Sequence, residues 1–175
     1  YRPLLHLKNK VLEISPVPLN TGERDFVEDL RKFYEGNREF FEGREMYLLR
    51  NMSRGRGIGF FEAGNFYPDF ILWVVEGERQ FVTFIDPKGI RQLSGLNDPK
   101  IEFSKTIKQL EERLGDPTVV LNSFIVATTP FKSVGWWAGD EKQEFEKRNV
   151  LFQVEDKSVY IKQMFTSIAS GATRR

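Results

Sequence analysis

A chain of 175 residues, 40% hydrophobic and 29% charged, has enough apolar material for one core and too little length for two comfortable domains. It has no cysteine and a single histidine, His6, which excludes disulfides, cysteine-zinc sites and thiol nucleophiles and argues against histidine-based chemistry. With 26 basic and 25 acidic residues the net charge is +1, so any basic surface for nucleic acid has to be local. No apolar run is as long as a membrane span and no signal-peptide pattern opens the chain, so a cytoplasmic protein without membrane contact is expected. Tyr1 in place of Met points to a piece of a longer chain.

Residues 1–20 read as a lead-in hairpin and linker. LLHL and VLEI flank a turn at Lys8-Asn9-Lys10, and SPVPLN stiffens the exit. His6 is expected there as an ordinary polar residue. Residues 21–170 form the domain, and the tail 171–175 is expected to fray.

Thr21 to Tyr34 predicts a helix: Phe26, Leu30 and Phe33 repeat at helical spacing, and Asn20 or Thr21 can cap the start. Glu23 shares the apolar face and has two readings. One is a first-turn acid facing the helix dipole; the other is an acid reaching inward to a site. Residues 35–56 are charged and weakly periodic, and a loop is expected. Arg50, Arg54 and Arg56 around Ser53 and Gly55 suggest a solvated loop, with phosphate contact as the alternative. GIGFFE, residues 57–62, predicts a strand; a turn at Gly64-Asn65 would set Phe60 opposite Asp69 and leave Glu62 on the same face.

The stretch YPDFILWVVEGERQFVTFIDPKG, residues 67–89, reads as two apolar strands joined by a tight turn, with both faces buried. A two-residue loop at Gly77-Glu78 sets Glu76 opposite Arg79 and Asp69 opposite Asp86. Cβ atoms so paired lie roughly 5 Å apart, and Lys88 falls on the same face as Asp86. Two carboxylates this close repel unless one is protonated or a cation lies between them, and such oxygen ligands suit Mg²⁺.

After Gly89 a polar loop leads to Asp98-Pro99, an N-cap and first-turn signal for a helix carrying Phe103, Ile107, Leu110 and Leu114 and stopped by Gly115. Its other face, with Lys100, Lys105 and Lys108, is expected in solvent, with phosphate contact by Lys105 or Lys108 as a secondary reading. Residues 119–129 predict an apolar strand. Trp136 and Trp137 suit closure of a core or interface, or stacking on a base. Asp140 opens a short charged helix, NVLFQV a last strand, and Ser158 caps a final helix with Tyr160, Ile161, Met164, Phe165 and Ile168. The order of elements gives an α/β fold, a mixed β-sheet flanked by helices.

Pro68-Asp69 followed by Asp86-Pro87-Lys88 resembles the PD-(D/E)-x-K nuclease signature. With NTGERDFVEDL upstream, the chain is similar from about residue 15 to 165 to the C-terminal endonuclease domain of type III restriction enzymes and related helicase–nuclease proteins. The resemblance implies a restriction-endonuclease-like core and a Mg²⁺-dependent DNA endonuclease, with Mn²⁺ able to substitute. Asp69, Asp86 and the Pro87 carbonyl would bind the metal, Lys88 would act on the attacking water or stabilise phosphate charge, and Glu23 would match the helix acid of that family. DNA, a helicase or motor region of the same longer chain and a restriction or defence complex are the implied partners. Two departures stand out: Asp replaces the commoner Glu at position 86, and Pro87 suggests that the second strand bends or ends there. The alternative is a catalytically decayed module of this fold that binds DNA or protein.

Overall fold

The computed structural model describes residues 18–52, 57–60, 65–134, 141–157 and 159–171. His6 and the lead-in hairpin, Ser53, Arg54, Arg56, Glu62, Trp136, Trp137, Asp140, Ser158 and the tail from 172 lie outside these residues.

Helix α1, Thr21–Gly36, begins at a capping box. The Asn20 side chain accepts from Glu23 N at 2.9 Å, and Asn20 N donates back to Glu23 Oε2 at 3.2 Å. Caps of this kind stabilise a helix by about 1 kcal/mol. Phe26 and Leu30 are buried on its inner face, while Arg24 and Glu28 pair outside.

The stretch expected as a loop after α1 holds more structure than that. A 3₁₀ turn at Arg38–Phe41 leads into strand β1, Arg44–Arg50. In REMYLLR, Met46 and Leu48 pack against the core while Tyr47 and Leu49 are exposed. Apolar residues on both faces erase the alternation that marks a half-buried strand. The strand expected at 57–62 is not formed by its described residues; they make only a two-way bridge between Phe60 and Phe66, at 2.8 and 3.0 Å. Phe60 therefore faces Phe66 and not Asp69. The glycines of that stretch permit close approach: a Cβ at Gly59 would lie 2.2 Å from the Tyr67 ring.

Strands β2, Phe70–Glu76, and β3, Arg79–Lys88, form the expected hairpin in the expected register, with Glu76 opposite Arg79 and Phe70 opposite Ile85. Gly77 takes the positive φ, 59°, that such a turn demands. Burial is not complete on both faces, however. Trp73 is exposed, because the helix on its side lies against β4, two strands away.

That helix, α2, spans Pro99–Leu114, with the Asp98 side chain accepting from Lys100 N at 2.9 Å and Gly115 left-handed at φ 66°. Phe103 and Ile107 are fully buried, but Leu114 is exposed. Glu111 goes inward instead, and its carboxylate accepts the Leu121 N–H at 2.6 Å. Strand β4, Val119–Ala127, runs parallel to β3. Helix α3, Lys142–Glu146, leads to β5, Val150–Phe152, parallel to β4, and helix α4, Tyr160–Gly171, closes the described chain.

The result is an α/β fold with a five-stranded mixed sheet ordered β1-β2-β3-β4-β5 and flanked by helices. On one face α1 and α4 close a core around Phe26, Phe70, Ile85, Phe124 and Phe165. On the other, α2 packs Phe103 and Ile107 on Phe66, Ile71 and Phe84, and α3 packs Phe145 on Ile125 and Phe152. A fully buried Phe contributes about 2–3 kcal/mol, so these clusters dominate what holds the layers together.

Candidate functional site

Strand β3 is where the sheet changes character, antiparallel to β2 on one side and parallel to β4 on the other. Its even-numbered residues bond toward β4: Gln80 N donates to Thr118 O at 2.8 Å, and Lys88 O accepts from Thr128 N at 2.9 Å. Its odd-numbered residues therefore face β2. But β2 begins at Phe70, opposite Ile85, so nothing in the ladder requires an N–H from Pro87. The expected end at Pro87 is thus corrected: β3 continues through it to Lys88, with Pro87 opposite Val126 and Lys88 opposite Ala127. The Pro87 carbonyl points to the same side as the missing N–H, toward Pro68-Asp69.

Asp69 sits one residue before β2, and its carbonyl accepts from Asn51 N at 2.8 Å. The Asn51 side chain holds this corner. Its amide donates to Pro68 O at 2.8 Å and to Ile58 O at 2.7 Å, and its oxygen accepts from Ile58 N at 2.9 Å. The hairpin register then carries Asp69 opposite Asp86, close enough for each carboxyl group to act on the other. Burial and, next, the Asp86 charge push Asp69 up to about 8, with a smaller push from Glu23. Lys88 opposes that shift. Its Nζ lies 2.5 Å from Asp86 Oδ2 and 5.7 Å from the centre of the Phe66 ring. Asp86 is almost fully buried, and Lys88 keeps part of its side chain in solvent.

Glu23 is buried, but its carboxylate is already engaged. It accepts from Asn20 N and Nδ2 and lies 3.4 Å from Arg50 Nη2. It serves as the α1 cap, and its charge adds a small push to the Asp69 shift. Among the described residues no three acidic, histidine or cysteine side chains gather closely enough to hold a metal, and the aspartates stand as a pair. Arg50 is a half-buried strand-end residue bonded to Glu23 and Pro18 O, and it does not lie in a solvated loop. Lys105 and Lys108 are taken by Glu102 and Glu111, which leaves the secondary reading of them without support.

Periodicity alone puts Lys100 on the solvent face of α2. It lies beside the site: the Lys88 ammonium, foremost, holds its pKa below the usual lysine range. No sequence signal marks that meeting, because the contact closes across the β3–α2 loop. Asn51 is likewise silent in the sequence, since its role depends on a corner formed by Ile58 and Pro68.

Chemically, the donor set fits a hard divalent cation. Two neighbouring aspartates, with a carbonyl directed to the same side, supply oxygen ligands only, and a cation beside them would relieve the repulsion that raises Asp69. Compared with protein-family models, with curated proteins and with solved structures, the chain matches none of them.

Proposed function

We propose that the chain is a metal-dependent DNA endonuclease domain that hydrolyses phosphodiester bonds on a restriction-endonuclease-like core. The observation that supports this reading is the neighbouring Asp69–Asp86 pair at the end of β3, with Lys88 Nζ 2.5 Å from Asp86. Asp69, Asp86 and the Pro87 carbonyl would hold Mg²⁺, or Mn²⁺ in its place. When bound, the ion supplies Lewis-acid charge and makes water a nucleophile near neutral pH. Lys88 brings a compact, partly desolvated side chain to the same point, suited as the ammonium to offset phosphate charge or as the neutral amine to take a proton from the attacking water at Nζ. Glu23, fixed by Asn20 and Arg50, positions the start of α1 and adds negative field beside Asp69. The reading carries with it a cytoplasmic setting, a helicase or motor region of the same longer chain and a restriction or defence complex.

The test is cleavage of plasmid DNA with Mg²⁺ by Asp69→Ala, Asp86→Ala and Lys88→Ala proteins whose thermal unfolding remains cooperative. Each is expected to lose cleavage. A Lys88→Ala protein that cuts like wild type refutes the assignment, and wild type that binds DNA without ever cutting supports the decayed module instead.

A further inference from the structure

Resting on that reading, we infer that Lys100 is a second phosphate-contacting residue of the site, paired with Lys88 across the β3–α2 loop. The placement follows from packing. Phe103, one turn into α2, lies 5.4 Å from Phe66, whose ring is beneath Lys88 Nζ. Ile101 is buried against Ile90, two residues past Lys88. These contacts fix the first turn of α2 against the end of β3, and the Asp98 cap sets Lys100 at the second helical position. Packing thus sets Lys100 beside the end of β3, near enough for the Lys88 charge to act on it, with Asp86 and Asp98 acting in the opposite sense.

Only the fields of Asp86 and Asp98 offset the repulsion, and neither carboxylate forms an ion pair with Lys100. Lys88 pairs with Asp86, whereas Lys100 forms no ion pair among the described residues. Two like charges brought together repel, and a free lysine on a helix turn has solvent-directed rotamers that avoid the repulsion. An anion between the two ammonium groups turns repulsion into attraction. A phosphodiester whose one side faces the aspartate pair presents its non-bridging oxygens to this lysine pair. The two carboxylates thus address the cation and the two lysines address the phosphate, which extends the site beyond the residues of the hairpin.

The experiment measures binding of a short DNA duplex with Ca²⁺, across a salt series, for wild type, Lys100→Met, Lys100→Arg and Lys105→Met. Cleavage with Mg²⁺ is followed in parallel. Lys100→Met is expected to weaken binding ten-fold or more and to flatten the log K against log salt slope by about 0.9, the signature of one lost phosphate contact on duplex DNA. Lys100→Arg should restore most of both. Lys105, already paired with Glu102, should behave as wild type. Unchanged affinity and slope in Lys100→Met, or losses equal to those of Lys105→Met, overturn the inference, as does wild type that fails to bind DNA. If wild type binds but never cuts, the endonuclease reading falls, and the salt slopes still decide the role of Lys100.

Discussion

Asn51→Ala removes the clamp at the Pro68-Asp69 corner without touching a carboxylate. Three hydrogen bonds disappear, at 2.7, 2.8 and 2.9 Å, and the carbonyls of Ile58 and Pro68 lose their donor. A net contribution of about 1 kcal/mol each, reduced for the exposed Ile58 pair, gives about 2–3 kcal/mol. For a chain of this size that is a fall of about 5–10 °C in unfolding temperature. The backbone bond from Asn51 N to Asp69 O does not need the side chain, so β1 and β2 stay paired and the fold survives. Asp69 then loses its fixed position relative to Asp86, and Mg²⁺-dependent cleavage should drop by more than the loss of folded protein accounts for. Asn51→Asp keeps the acceptor for Ile58 N but turns a carboxylate oxygen toward the Ile58 and Pro68 carbonyls, so it should be no more stable than Asn51→Ala. Differential scanning calorimetry and plasmid cleavage at a temperature where both proteins are folded give the two readouts. An Asn51→Ala protein that melts within a degree of wild type and cuts equally well refutes the reasoning.

In metal-free protein Asp69 holds its proton to about 8, whereas the unfolded chain releases it near 4, so folding stability declines as pH rises through that window and levels off above it. Asp69→Asn lacks this decline. Its unfolding temperature relative to wild type should climb from pH 5 to 9 in chelator, and a flat difference would contradict the raised Asp69 pKa. Tyr160→Phe removes the hydroxyl that donates to buried Asp29 at 3.0 Å; urea midpoints should fall by an amount worth about 1.5–3 kcal/mol with an unchanged m value. Pro87→Val should leave stability within about 1 kcal/mol and retain Mg²⁺-dependent cleavage, since no ladder bond depended on the missing N–H. Loss of the fold in that variant would show that the β2 side of Pro87 is not open.

The hairpin was legible because its information is local. Gly77 fixes the turn, the apolar run fixes the strands, and the register of every pair down to Asp69 and Asp86 follows by counting. The same holds for α2, where Asp98, Pro99 and Gly115 act within a few residues of the ends they define. β1 escaped because Tyr47 and Leu49 are apolar on an uncovered face, so its sequence carries no contrast between inside and outside. At Glu23 periodicity gave burial correctly and left the use of the carboxylate open. Arg50, its partner, is 27 residues away on a strand that was not foreseen. Lys100 and Asn51 depend on contacts that exist only once the chain has folded back, and residue type alone does not announce them. The sequence pattern thus reached the pair of aspartates, while the groups that steady and surround them came from tertiary structure.

Pro87 has one more implication. Its side chain enters the α1–α4 face, while Asp86 and Lys88 on either side enter the α2 face. One strand therefore answers to two independent sets of demands, divided by the plane of the sheet. Substitutions that refit the core beneath position 87 leave its carbonyl in the plane of the sheet, directed at the β2 side. The aspartate and lysine can be conserved or lost without reference to what lies below. Mutational tolerance at this strand end should alternate residue by residue, and a deep substitution scan scored for folding and for cutting would show the two scores out of phase.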